Sequence, residues 1–315
     1  MNLLIGAATI GLILAPLALG VFISYRIYHT LDLTADGAFG AGAAVGAALL
    51  VRHVPPLPAT AVGVMAGIVA GGITGLLHTR FRVNVMLAGV LTTTAFYSVN
   101  LFIMGSGNVS LASAESLVTL AERLGQQLFG LPPSVTVLGT AVSGGSIASL
   151  ILTGLFAVAL AVVLARFMGT ELGVAMRAAG NNPQMAKAVG IEVDRMVVLG
   201  LGLSNGLIAL AGTLFAQYQG FANIEMGVGA MVTGVATLMV GETLLGKRTI
   251  GRWIAGAVAG AVVFRLLVAG AVRAGLNPNA LKLVTAVLVL AVLLVPDLVG
   301  RARRPRSAEP ARRHA

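Results

Sequence analysis

The run Gly241-Glu242-Thr243-Leu244-Leu245-Gly246-Lys247 has the opening spacing of a phosphate-binding loop, G-x-x-x-x-G-K-[ST]. Such a loop needs a hydroxyl after the lysine to hold the metal ion, and a strand before the first glycine. Here Arg248 stands where the hydroxyl belongs, and a long apolar stretch precedes the run. Nucleotide chemistry is therefore rejected at this place, and Glu242 and Glu225 read most simply as interfacial residues. No HExxH, nucleophile elbow or paired carboxylates occur. His29, His53, His78 and His314 have no metal-ligand spacing, and the absence of cysteine excludes disulfides and thiolate metal sites. No cofactor is expected on this chain.

What remains is polar recognition inside apolar stretches, where each polar group is costly and so a candidate for a solute path. The stretch 83–104 is richest, with Asn84, Thr92, Thr93, Thr94, Ser98 and Asn100. Thr93, Tyr97 and Asn100 fall at i, i+4 and i+7, on one helical face. Ser204 and Asn205, with Thr233 and Thr237, are expected to face the same cavity. For any single Ser or Thr, a hydrogen bond within its own helix is the competing explanation. Arg265 lies alone in an apolar stretch and needs a partner or water.

The composition identifies the scaffold that carries these residues. Of 315 residues 57% are apolar and only 10% charged, against about 25% charged in soluble domains. So few charges cannot solvate a water-soluble surface. With a mean hydropathy of +0.94, the chain reads as an all-α, polytopic transmembrane helical bundle. A span needs about 20 residues at 1.5 Å each to cross ~30 Å of hydrocarbon. Stretches at 3–25, 33–51, 57–78, 83–104, 145–166, 196–218, 226–245, 252–272 and 280–296 give about nine spans, within eight to ten. The second is weakest, following Asp32, containing Asp36 and dense in Gly and Ala. Its continuity stays open, because a broken helix survives at membrane depth when buried in protein. No positive charge precedes the first stretch, so a cleavable signal is not expected. Gly63, Gly67, Gly71 and Gly75, and the pairs Gly42/Gly46, Gly202/Gly206 and Gly256/Gly260, are small-xxx-small patterns for close helix approach. Packing within one subunit is favoured over a dimer seam for any one pair.

Charge sets the sidedness. The net charge of +10 does not point to nucleic acid, because the basic residues flank apolar runs. With the C-terminus in the cytoplasm and a flip at each span, 16 of the 21 Lys and Arg residues fall inside. Arg52, Arg123, Arg273 and Lys282 fall outside, and Arg265 lies within a span. The positive-inside rule then puts the N-terminus outside. Residues 1–300 form the transmembrane domain, and 301–315 a basic cytoplasmic tail, expected to be solvated near anionic lipid, with about 1 kcal/mol of attraction per basic residue.

Two connections exceed simple turns. The outer one, 105–144, holds an amphipathic segment with Leu117, Leu120, Ala121, Leu124 and Leu128 on one face, ended by Pro132 and Pro133. It reads as a surface helix or as packing over the bundle's outer end. In the cytoplasmic one, 167–196, Gly180-Asn181-Asn182-Pro183 is a turn sequence with a cap and a proline suited to a first helical position. A short helix at 183–189 should follow and stop at Gly190. Ala186 and Gly190 are small enough for close approach to a soluble partner.

Arg177-Ala178-Ala179-Gly180-Asn181-Asn182-Pro183, followed by Ala186, Gly190, Ile191, Val193 and Arg195, resembles the coupling loop of the branched-chain amino-acid permease family of ATP-binding-cassette (ABC) importers. Asp32-Leu-Thr-Ala-Asp36-Gly37-Ala-Phe39 is similar to a subgroup linked to amino acids, aromatic ones included. The likeness spans roughly 10–296. It implies a transmembrane permease subunit in a prokaryotic plasma membrane, carrying an amino-acid-like solute inward. A second permease copy, as a homodimer, two ABC ATPases that bind ATP and Mg, and an extracytoplasmic substrate-binding protein would complete it. The rivals are an ATPase-independent secondary transporter or channel, which would more naturally display intramembrane ionisable relays or inverted halves, and an intramembrane enzyme, which lacks a catalytic set.

Overall fold

The computed structural model describes residues 2–129, 134–137, 140–246 and 248–274, with positions 283, 286, 287 and 290. The chain runs α1 (Asn2–Ile13), α2 (Ala15–Val21), a π-helical turn (Phe22–Ile27), α3 (Thr34–Val51), α4 (Pro56–Phe81), α5 (Val85–Met104), β1 (Asn108–Ser110), α6 (Leu117–Phe129), β2 (Ser134–Val137), β3 (Thr140–Ser143), α7 (Gly144–Met168), α8 (Glu171–Asn181), α9 (Pro183–Ala188), α10 (Val193–Gln219), β4 (Phe221–Asn223), α11 (Ala230–Leu245) and α12 (Ile250–Arg273). Among the described residues seven helices are long and apolar enough to cross a membrane: Leu3–Ile27 taken together, α3, α4, α5, α7, α10 and α12. The shorter α11 has 16 residues, or about 24 Å at 1.5 Å each. These match eight of the nine expected stretches. The ninth, 280–296, lies outside the described residues except for the isolated positions, as do Pro132, Pro133 and the 301–315 tail.

The open question at 33–51 resolves into one unbroken helix. Among the seven, α3 is the least apolar yet the most enclosed. It lies against α4, α5 and α10, and its glycines and alanines let backbones meet. A Cβ on Gly42 would collide with the Ala209 carbonyl, and one on Gly212 with the Phe39 carbonyl. Weak hydropathy there reflects a helix that faces protein more than lipid. The glycines of α4 serve the same centre. Gly63, Gly67, Gly71 and Gly75 descend along Thr213, Ala209, Leu201 and Val198 of α10. The stripe is spent inside the subunit, where close approach and van der Waals contact hold helices together.

The break in the first span was not foreseen. Leu14 interrupts the helix, Pro16 stands in the first turn of α2, and the last turn widens to π geometry, with Tyr28 N–H donating to the Ile23 carbonyl at 3.2 Å. At the opposite end of the bundle, β1 pairs antiparallel with β4, Val109 opposite Ala222, and β2 with β3. The amphipathic segment is helical, as α6, and packs on α7.

Candidate functional site

Helices α8 and α9 form a defined insert. Thr170 caps α8, its Oγ1 accepting from Gly173 N–H at 3.3 Å, and Asn182 caps α9, its Oδ1 accepting from Met185 N–H at 3.0 Å. Pro183 is the first residue of α9, a position where the N–H that proline lacks would have had no intrahelical partner. Past Ala188 the chain turns at Gly190, φ +86°, which brings Ile191 N–H to the Ala186 carbonyl at 3.0 Å. A non-glycine residue would be strained there. The expected turn is nevertheless shorter than the sequence implied. Gly180 and Asn181 are helical, and only Asn182 is extended. Gly180 is small for a different reason, since a Cβ there would run into the Ile27 carbonyl.

Ala186 also corrects its expectation. It is 1% exposed and packs with Ala179 and Val193, flanked by Ala178 and Ile191. Its size permits α9 to lie on α8 and α10, and it does not face outward. Gly190 meets nothing within 4 Å. All of α9 except Ala186 is exposed, and its large apolar exposed residues are Met185 and, at the C-cap, Val189, 61% and 66% exposed and one helical turn apart. Asn181 is exposed, Arg177 half-buried, and Arg195 is exposed and paired with Glu192 at 2.8 Å.

The insert is tied into the bundle through the end of the first span. Gly180 lies on Ile27 and Tyr28. The Tyr28 hydroxyl donates to the Met196 carbonyl in α10, and burial raises its phenol well above the ordinary value, so it remains a donor. Arg26 of the π turn makes a bidentate ion pair with Glu242 of α11. Glu242 is 4% exposed, so it is a buried clamp and not the interfacial residue its sequence position suggested. Breaking such a pair on one side costs about 3–5 kcal/mol, because the survivor is left uncompensated. It also fixes the glycine run of the rejected phosphate loop as a helix end, with Gly241 packed on Gly256.

The polar residues expected to line a solute path divide. Thr93 and Asn100 turn toward α3. Thr93 Oγ1 donates to the Leu33 carbonyl at 2.7 Å, and a Cβ on Gly40 would stand 3.2 Å from Asn100 Nδ2. Asn100 Oδ1 is buried without a partner among the described residues. Tyr97, between them in sequence, is 49% exposed. Ser204 Oγ donates to the Gly20 carbonyl at 2.7 Å, and Asn205 Nδ2 donates to Asp32 Oδ2 at 2.6 Å. Thr233 is half-buried in the first turn of α11. Thr237 is buried, with its backbone against Gly260 of α12. Ser204 and Thr237 therefore meet different neighbours from Thr93 and Asn100.

Two carboxylates organise this region. Asp32, 0% exposed, accepts from Asn205 and from Thr34 N–H at 3.0 Å. Beside it a hydroxyl relay runs Thr34 to Thr74 at 2.7 Å, Thr74 to Thr92 at 2.9 Å, and Thr92 to the Ala88 carbonyl at 2.9 Å. Each hydroxyl has one proton, so the last two donations fix the direction of the first. Asp36 accepts from Gly229 N–H at 3.0 Å and Met231 N–H at 2.9 Å. It thus caps α11 from α3. The only signal for these roles was two acidic residues at the edge of a Gly/Ala-rich apolar stretch.

A bundle of membrane-length helices with a polar centre and a two-helix insert at one end has the architecture of a multi-pass membrane protein. The sequence matches the family described as branched-chain amino acid transport system / permease component over residues 3–294. It is 34% identical to a tyrosine transport system permease protein of Clostridioides difficile (strain R20291), over 95% of this chain and 92% of that one. It is 34% identical to an uncharacterized protein of Rickettsia prowazekii (strain Madrid E), over 78% of each chain. An autoinducer 2 import system permease protein of Yersinia pseudotuberculosis is 26% identical over 58% of this chain and 46% of that one. The chain belongs to the branched-chain amino acid transport system permease family and is a permease of an ABC import system.

Proposed function

We propose that this permease carries an amino acid inward across a prokaryotic plasma membrane, with α8 and α9 as the cytoplasmic seat of a separate ATPase. The observation that carries the reading is the insert itself, which is capped at both helices, cored on Ala179, Ala186 and Val193, and open outward at Met185 and Val189. The charge distribution, 16 basic residues against four, supports a topology with this end and the tail inside and the N-terminus and the β1–β4 end outside. On that topology nine spans include α11 and 280–296. A second copy of the chain, as a homodimer, two ATPase subunits that hold ATP and Mg, and an extracytoplasmic binding protein complete the importer.

The coupling set is Arg177 to Pro183 with Ala186, Gly190, Ile191 and Arg195. Small residues seat the insert against Ile27, and motion of α8 passes through the π turn and the Arg26–Glu242 clamp to α11. The solute path follows Thr93, Tyr97 and Asn100 on α5 and the start of α11 at Thr233, with Ser204, Asn205 and Thr237 holding the surrounding helices. Tyrosine, named for one relative, is the first solute to test.

Proteoliposomes holding the permease, its ATPase and its binding protein should accumulate labelled L-tyrosine only when ATP is on the ATPase side. Uptake driven by an ion gradient without ATP would replace this reading with that of a secondary transporter.

A further inference from the structure

At the insert end of the bundle a cavity of about 300 Å³ opens between the α4–α5 turn, the residues after the π turn, α8–α9 and the start of α10. Its volume is at the lower end of the ~300–1,000 Å³ of small-ligand sites. Arg82 lines it from the α4–α5 turn, Lys187 from α9 and Asp194 from α10, while Tyr28, Val85 and Val197 supply apolar and aromatic wall. All three charged residues are exposed at the cavity mouth, and among the described residues none of their side chains makes a hydrogen bond or ion pair, so each is available to a solute. Arg82 stands at φ +57°, and His29, between two residues that line the cavity, at φ +53°. At Arg82 this is the left-handed cap that ends α4, its N–H donating to the Leu77 carbonyl, and it carries the backbone across the turn into α5.

The charge pattern selects the ligand. A simple anion would meet the Asp194 carboxylate, and a simple cation would meet Arg82 and Lys187. A molecule with one carboxylate, one ammonium and an apolar body satisfies all three sides together. We propose that this cavity is a product-side regulatory site for a free α-amino acid, with the carboxylate held between Arg82 and Lys187, the ammonium on Asp194 and the side chain against Tyr28. This rests on the reading that the permease imports an amino acid and that the insert end is cytoplasmic. The occupant ties α9 and α10 to the α4–α5 turn, so the insert can no longer shift against the bundle when the ATPase closes. Accumulated product thereby slows its own import.

The test uses the complete importer in proteoliposomes, with L-tyrosine or inorganic phosphate added on the ATPase side, and calorimetry of both probes on the purified permease. Tyrosine should lower ATP hydrolysis and initial uptake at least about fivefold, the lower edge of ordinary allosteric coupling. Arg82→Gln and Asp194→Asn should each relieve this inhibition and weaken calorimetric binding, while uptake without internal tyrosine stays at the wild-type rate. Normal uptake with no inhibition overturns the regulatory site and leaves the transport reading intact. Phosphate acting as strongly as tyrosine overturns the amino-acid assignment in favour of an anion site. If tyrosine is not transported, calorimetry decides separately: charge-dependent binding upholds the site while the substrate reading falls, and no binding removes both.

Discussion

Replacing Met185 and Val189 together by glutamate should release the ATPase and leave the permease folded. Both residues are more than half exposed, Met185 on α9 and Val189 at its C-cap, so their replacement removes little of the permease's own packing. Surface changes of that kind usually shift stability by no more than about 0.5 kcal/mol. At a docked interface the same two positions become buried apolar anchors, and losing such anchors costs about 2 kcal/mol or more, roughly thirtyfold in affinity. Two carboxylates forced into an apolar contact add a desolvation penalty. Co-purified ATPase and ATP-driven uptake should each fall at least about tenfold, with an unchanged unfolding midpoint in detergent. Wild-type recovery of the ATPase would remove α9 from the interface. Ala186→Trp makes the informative contrast. Because Ala186 is packed against α8 and α10, that variant should unfold the insert before any question of docking arises.

Gly180→Leu should produce the complementary defect, an ATPase that remains bound but no longer answers the solute. A Cβ at this position meets the Ile27 carbonyl. That neighbour is backbone, so no rotamer change relieves the clash, and overpacking of this type costs about 1–3 kcal/mol. Helix α8 must lift from the end of the first span, and the line from insert to π turn to Arg26–Glu242 is interrupted. The outward face of α9 is untouched. We expect normal ATPase co-purification, hydrolysis that no longer rises with loaded binding protein, and uptake reduced about tenfold or more. Even Gly180→Ala should show part of the loss, because the clash begins at the Cβ. Full coupling in both variants would mean that the contact with Ile27 is mere packing.

The insert was legible because its signals are local. Asn182 as cap, Pro183 at a first helical position and Gly190 at φ +86° are consequences of backbone geometry that short sequences carry. The apolar stretches were legible for the same reason, since length and hydropathy set a span. What stayed hidden depends on contacts distant in sequence. Gly180 reads as a turn residue until Ile27, more than 150 positions earlier, is seen beneath it. Glu242 reads as interfacial until Arg26 reaches it. Asp36 caps a helix that begins almost 200 residues later, and α3 read as the weakest span because its hydropathy reports its neighbours and not its depth. The polar face at Thr93, Tyr97 and Asn100 followed from period alone, whereas the inward turn of Thr93 and Asn100 follows from the glycines of α3 facing them.

The chain has no cysteine, so one introduced at position 185 is the sole thiol and reports directly on the seat of the ATPase. In native membranes a short cysteine-to-lysine cross-linker on Met185→Cys should join the permease to an ATP-binding-cassette subunit. A membrane-impermeant maleimide should block it only from the cytoplasmic side. The yield should change when ATP is bound, as the two ATPase subunits close. Modification from the outside, or ATP-driven uptake that proceeds with no cross-link to any ATPase subunit, would contradict the assignment of α8–α9 as the coupling element of this importer.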